Sequence, residues 1–147
     1  MGYSNQAAEY TARGYLSPLR VLSEGEAGNL FDKAEQVRRR QTADGENYLG
    51  SNVHHLVPDF YDLVQNREIL DEVEKVIGPD IICWSAAFFN KYPHDPNYVS
   101  WHQDLTYWGL EPADIVTAWV ALTPSTRENG CMRVVPGSHG EGQIGHS

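Results

Sequence analysis

Helical periodicity in the first half of the chain and short β-branched, aromatic runs in the second predict an α+β fold. N-terminal helices would pack on a β-sandwich or jelly roll. Three observations carry this expectation: an amphipathic stripe after Ser23, a second one after Asn66, and a series of strand-like segments from residue 80 onward. The 147 residues make one domain, 1–147, helical over 1–79 and strand-bearing over 80–147.

The first half is read as follows. Ser23 and Glu26 form a capping box, and Ala27, Leu30, Phe31, Ala34 and Val37 recur on one helical face. Arg38, Arg39 and Arg40 would close that helix, where cations suit the negative dipole end. Residues 41–52 (QTADGENYLGSN) carry turn formers without a period and read as a loop. Pro58 opens a short helix ending near Gln65. Asn66 then caps another, whose apolar face is Ile69, Leu70, Val73, Val76 and Ile77. Gly78 and Pro79 stop it.

In the second half, DIICWSAAFFNKY (80–92) has strand composition. The loop PHDPN (93–97) separates it from YVSWHQDL (98–105). After the loop 109–114, IVTAWVAL (115–122) reads as a strand buried on both faces. Asn129-Gly130 turns into CMRVV (131–135), which Pro136-Gly137 ends.

Composition excludes several function classes. With 11 Lys plus Arg against 20 Asp plus Glu, the net charge is −9, which repels phosphate backbones, and no basic stripe offsets it. Residues 1–20 are polar and interrupted by Gly14 and Pro18, unlike a signal peptide. No apolar run nears the roughly 20 residues of a membrane span. The expectation is a soluble, cytoplasmic protein with neither nucleic acid nor membrane as partner. Cys83 and Cys131 lie in apolar runs and read as buried free thiols.

The chemistry-bearing candidates are His102 and Asp104. On a strand, residues i and i+2 share a face, so an imidazole nitrogen and a carboxylate oxygen there converge on one metal ion. With a second histidine such a pair makes the facial triad of non-haem iron oxygenases. A salt-bridged pair on a surface strand is the alternative for these residues taken alone. Gln103 faces the other way. His54 and His55, adjacent in a loop before Pro58, would point apart and read as surface or pocket-rim side chains. His94 reads as solvent-exposed in its Pro-rich loop.

The stretch FFNKYP, followed by VSWHQDLTYWGLEPADIVTAWVALTPSTRENGCMRVVPGSH, resembles the central signature of the phytanoyl-CoA dioxygenase family. The matching positions are Lys91, Pro93, Trp101, His102, Gln103, Asp104, Trp119, Asn129, Gly130, Pro136, Gly137, Ser138 and His139. The resemblance covers roughly residues 10–140. It implies a double-stranded β-helix, with His102 and Asp104 as iron ligands and no catalytic residue beyond the metal ligands. Fe(II) and the co-substrate 2-oxoglutarate are the implied cofactors, O₂ and a small organic or acyl molecule the partners, and C–H hydroxylation the reaction. It places Trp119 and Lys91 at the 2-oxoglutarate pocket, each with a plain alternative: core packing for Trp119, a surface stem for Lys91. The carboxylate of Asp104 fits hydroxylation rather than halogenation. The family's distal histidine and its 2-oxoglutarate-binding arginine have no counterpart here. His139 belongs to the Pro-Gly-Ser-His element, His146 is next to last, and Arg127 and Arg133 come too early. The chain is therefore expected to be the N-terminal part of a longer oxygenase, or else a silent binding module on the same scaffold.

Overall fold

A computed structural model describes residues 3–44, 50, 52–96, 98–111 and 114–145. Among these, the helices in chain order are α1 (Tyr3–Arg13), α2 (Glu24–Asp44), α3 (Pro58–Val64), α4 (Arg67–Ile77) and α5 (Leu105–Trp108). Two 3₁₀ turns, Val53–His55 and Ser138–Glu141, complete the regular structure.

Local chemistry explains where the long helices start and stop. The Ser23 hydroxyl accepts from Glu26 N at 3.2 Å, while the Glu26 carboxylate accepts from Ser23 N at 2.8 Å. These bonds satisfy two orphan donors at the start of α2. The Ser23 hydroxyl, donating to the Glu26 carboxylate at 2.6 Å, and after it Ser23 N hold that carboxyl below its ordinary pKa. The helix runs one turn further than its basic triplet indicates, since residues 41–44 are helical rather than loop. Arg38 is consequently not a terminal cation. It makes a two-pronged pair with Glu35 at 2.9 and 2.7 Å and stacks over Tyr92. Helix α3 starts on Pro58, whose missing N–H costs nothing there. Asn66 Oδ1 caps α4 by accepting from Glu68 N and Ile69 N at 2.8 and 3.4 Å. Gly78, at φ 86°, ends it.

Helix α1 carries no apolar periodicity strong enough to announce it. It packs on α4, with Gln6 accepting from Lys75 Nζ at 3.3 Å. The five apolar residues of α4 are half-buried. The core proper is Ala34 of α2, Val53 of the first 3₁₀ turn and Phe60 of α3. Leu30, Val37, Val57 and Phe88 flank it, Phe88 edge-on to Phe60 at 4.8 Å between ring centroids.

The expected jelly roll is not what the chain forms. Among the described residues there is no β-strand and no sheet. Residues 80–92 and 115–122 carry no regular structure, and 98–105 ends in the turn leading into α5. Their β-branched and aromatic composition measures fit to a pleated, half-buried surface rather than an intrinsic backbone preference. A strand exists only with a partner, and these segments have none: Ile82, Trp84 and Phe89 are 86, 58 and 71% exposed. One backbone bond, Val53 N to Ala86 O at 3.3 Å, ties the first of them to the helices.

Two smaller expectations also fail. His54 is 4% exposed rather than superficial, and its ring lies against that of exposed His55, 4.0 Å between centroids. Cys83 is exposed and Cys131 half-buried, both as free thiols.

Candidate metal centre

His102 and Asp104 do come together, though not on a strand. Asp104 has helical dihedrals (φ −57°, ψ −42°) and sits at the entry of α5. Turning the backbone there brings His102 Nε2 to 3.0 Å from Asp104 Oδ1. Both side chains stay partly open, at 30 and 39% exposure.

Each is oriented by a second contact. His102 Nδ1 lies 2.8 Å from the Ser100 carbonyl oxygen, which can only accept, so that nitrogen carries the hydrogen. A second hydrogen or a metal ion is then what Nε2 can share with the carboxylate it faces. Thr117 Oγ1 donates to Asp104 Oδ2 at 2.5 Å, leaving Oδ1 for His102. Tyr107 stands edge-on to the imidazole at 5.9 Å. A nitrogen lone pair and a carboxylate oxygen this close call for a cation between them: a proton, or a metal ion. Two ligands about 2.1 Å from an octahedral ion, at right angles to each other, lie about 3.0 Å apart. The separation therefore fits adjacent positions on one metal ion.

Sequence reasoning missed Thr117 and Ser100. Thr117 lies two residues before Trp119 in a segment read as buried strand, and nothing in the pattern marked its hydroxyl. Gln103 points away from the pair and fastens 142–144 beside the site: its amide donates to Gly142 O at 2.9 Å and accepts from Ile144 N at 2.8 Å.

The other named residues have their own surroundings. The Lys91 ammonium sits over the Asn129-Gly130 turn, 2.7 Å from where a β-carbon on Gly130 would be. Trp119 is 42% exposed. Among the described residues, no hydrogen bond or ion pair joins either to His102 or Asp104. Arg133 stacks over Trp101 at 5.5 Å. His139 Nε2 lies 2.9 Å from Thr11 O, and Gly137 N donates to Arg13 O at 2.9 Å, so the Pro-Gly-Ser-His element docks on the end of α1. His146 lies outside the described residues. Among the described residues no three His, Cys, Asp or Glu side chains gather into a metal-holding group. No helix there is long and apolar enough to cross a membrane.

A partly open imidazole–carboxylate pair, each member braced from behind, offers two donor atoms to a metal ion. The chain belongs to the Phytanoyl-CoA dioxygenase (PhyH) family, which it matches over residues 10–146. It is 42% identical over 76 residues to the peroxisomal phytanoyl-CoA dioxygenase of Homo sapiens, covering 49% of this chain and 22% of that protein. To the Rattus norvegicus peroxisomal phytanoyl-CoA dioxygenase it is 34% identical over 153 residues, covering 88% of this chain and 45% of the relative. To the Danio rerio phytanoyl-CoA dioxygenase domain-containing protein 1 it is 30% identical over 120 residues, covering 80% and 40%. The chain thus spans less than half the length of each of these relatives. No solved structure matches it.

Proposed function

We propose that this chain carries part of the centre of a non-haem Fe(II), 2-oxoglutarate-dependent oxygenase that hydroxylates an unactivated C–H of a small organic or acyl substrate. One observation supports it above others: His102 Nε2 and Asp104 Oδ1 face each other at the separation two adjacent metal ligands adopt, each held there by its own second contact. Fe(II) and 2-oxoglutarate are our reading of what membership of this family favours.

In this reading His102 binds through Nε2, with Ser100 O fixing its tautomer and ring orientation. Asp104 binds through Oδ1, with Thr117 holding the other oxygen. Tyr107 stands edge-on to the imidazole beside it. Fe(II) and 2-oxoglutarate, when bound, would supply the oxidising power for O₂-dependent hydroxylation, with succinate and CO₂ as co-products. Lys91 and Trp119 are assigned to the 2-oxoglutarate pocket on the family pattern, the ammonium answering a carboxylate and the indole forming a wall. A cytoplasmic location belongs to the same reading, and a fluorescent fusion collecting in an organelle would overturn it.

A second reading is a silent binding module in which His102 and Asp104 form an ion pair. It is favoured by the engagement of His139 at α1 and by the lack of a third ligand among the described residues. Fe(II)-dependent formation of succinate from 2-oxoglutarate under O₂ separates the two. Measured on the full-length protein, the oxygenase reading expects turnover that Asp104→Ala abolishes; the silent reading expects none with either residue at 104.

A further inference from the structure

Among the described residues one polar side chain, His54, is buried, and the proposed iron site does not use it. His54 Nδ1 is buried with no hydrogen-bond partner among the described residues, and Nε2 meets only Cys83 Sγ, at 4.0 Å. Burial first, and neighbouring His55 second, push the His54 pKa down, so the ring is neutral at neutral pH. Cys83 lies on the exposed segment 80–92, and its other polar contact is Ser85 O at 3.7 Å. Burial of the sulphur raises the thiol pKa, which argues against a reactive thiolate or an imidazolium–thiolate couple. What remains is a neutral imidazole and a neutral thiol at the outer limit of hydrogen bonding.

We propose that Cys83 Sγ and His54 Nε2 form a two-ligand site for a thiophilic divalent cation of the zinc class, separate from His102 and Asp104. Zinc–sulphur and zinc–nitrogen bonds are about 2.3 and 2.0–2.1 Å. An ion bonded to both atoms at their present 4.0 Å separation subtends an angle of about 135°. Closing the gap by about 0.4 Å gives the tetrahedral value. Cys83, on a segment without ladder partners, can make that shift. On binding, the sulphur–hydrogen bond breaks, the proton leaves to solvent and a sulphur–metal bond forms. The imidazole gives its Nε2 lone pair and keeps its hydrogen on Nδ1. Among the described residues no third His, Cys, Asp or Glu joins the pair, so water fills the remaining positions. Such a site exchanges its ion, unlike a closed four-ligand structural centre, and binds more tightly as pH rises because a proton is displaced.

The test is titration with Cd(II), whose thiolate charge-transfer absorption reports sulphur ligation and is blind to His102 and Asp104. Wild type and Cys131→Ser are expected to show the band saturating at one equivalent, and Cys83→Ser to lack it. His54→Gln is expected to weaken binding at least tenfold. X-ray absorption of the zinc-loaded wild type, independent of how that variant folds, is expected to show one sulphur and at least one imidazole. A band that survives Cys83→Ser or vanishes in Cys131→Ser overturns the proposal. So does a folded His54→Gln of unchanged affinity, or an absorption spectrum without both ligands.

Discussion

Truncating Phe60 probes the core that, among the described residues, the helices share with the irregular second half. Phe60 is 1% exposed and is the largest fully buried side chain among the described residues. It touches the Ala34 and Val53 cluster and meets Phe88 edge-on, with rings at 70°. Phe→Ala changes in cores cost about 3–5 kcal/mol, the spread reflecting how far the surroundings collapse into the void. Losing the aromatic pair accounts for about 0.5–1.5 kcal/mol of that. Here the flanking Leu30, Val37, Val57 and Phe88 are only partly buried and free to move inward. The lower end, about 3 kcal/mol, is therefore expected. That is a large share of the roughly 5–15 kcal/mol of a whole domain. Phe60→Leu retains most of the volume and should cost under about 1.5 kcal/mol. Urea unfolding followed by circular dichroism measures both as midpoint shifts at constant slope. A Phe60→Ala loss below about 1 kcal/mol, or equal losses for Ala and Leu, would refute a core centred on this ring.

Three further outcomes follow from particular contacts. Gly14 has φ +78°, and a β-carbon there would run into the His139 imidazole, 2.8 Å from Cγ. Gly14→Ala should thus cost about 1–3 kcal/mol through left-handed strain and loss of the His139–Thr11 bond, and the penalty should shrink in a His139→Ala background, as a double-mutant cycle reads. Because His54 has a lowered pKa in the folded chain, the unfolded chain binds the extra proton first. Stability should hold above the unfolded value of about 6.5 and fall as pH drops below it, levelling once folded His54 itself protonates. The lowered carboxyls of Glu26, Glu35 and Glu128 act in a more acidic window, so denaturant melts between pH 5 and 7 isolate the histidine, and His54→Leu should flatten that slope. The exposed Ile82, Trp84, Phe89 and Trp101 should bind anilinonaphthalene sulphonate and promote association at moderate salt; a dye-silent, monomeric chain would contradict their exposure.

The sequence made the helices legible where capping chemistry is local. Ser23 with Glu26, Pro58, Asn66 and Gly78 each act within a few residues, and α2, α3 and α4 start or stop there. The strands were misread because pairing is a long-range property. The composition of 80–92 or 115–122 reports what such a segment does beside a partner, not whether one is present. Spacing brought His102 and Asp104 into view for a geometric reason that proved different: a turn entering α5, rather than a pleat, aims the two side chains at each other. Thr117 and Ser100 stayed hidden, since a hydroxyl and a backbone carbonyl acquire their roles only when the chain folds them behind the ligands. The burial of His54 was equally invisible, because the 3₁₀ turn that carries it meets α3 only once the chain folds.

Calorimetric titration of Mn(II), or Fe(II) under anaerobic conditions, into wild type, Asp104→Ala and Thr117→Val bears most directly on the proposed metal centre. If His102 and Asp104 hold an ion, wild type binds one equivalent and Asp104→Ala lowers its affinity sharply. Thr117→Val, which frees the outer carboxylate oxygen, then weakens binding by about 10-fold or more. Equal binding by wild type and Asp104→Ala would contradict the assignment.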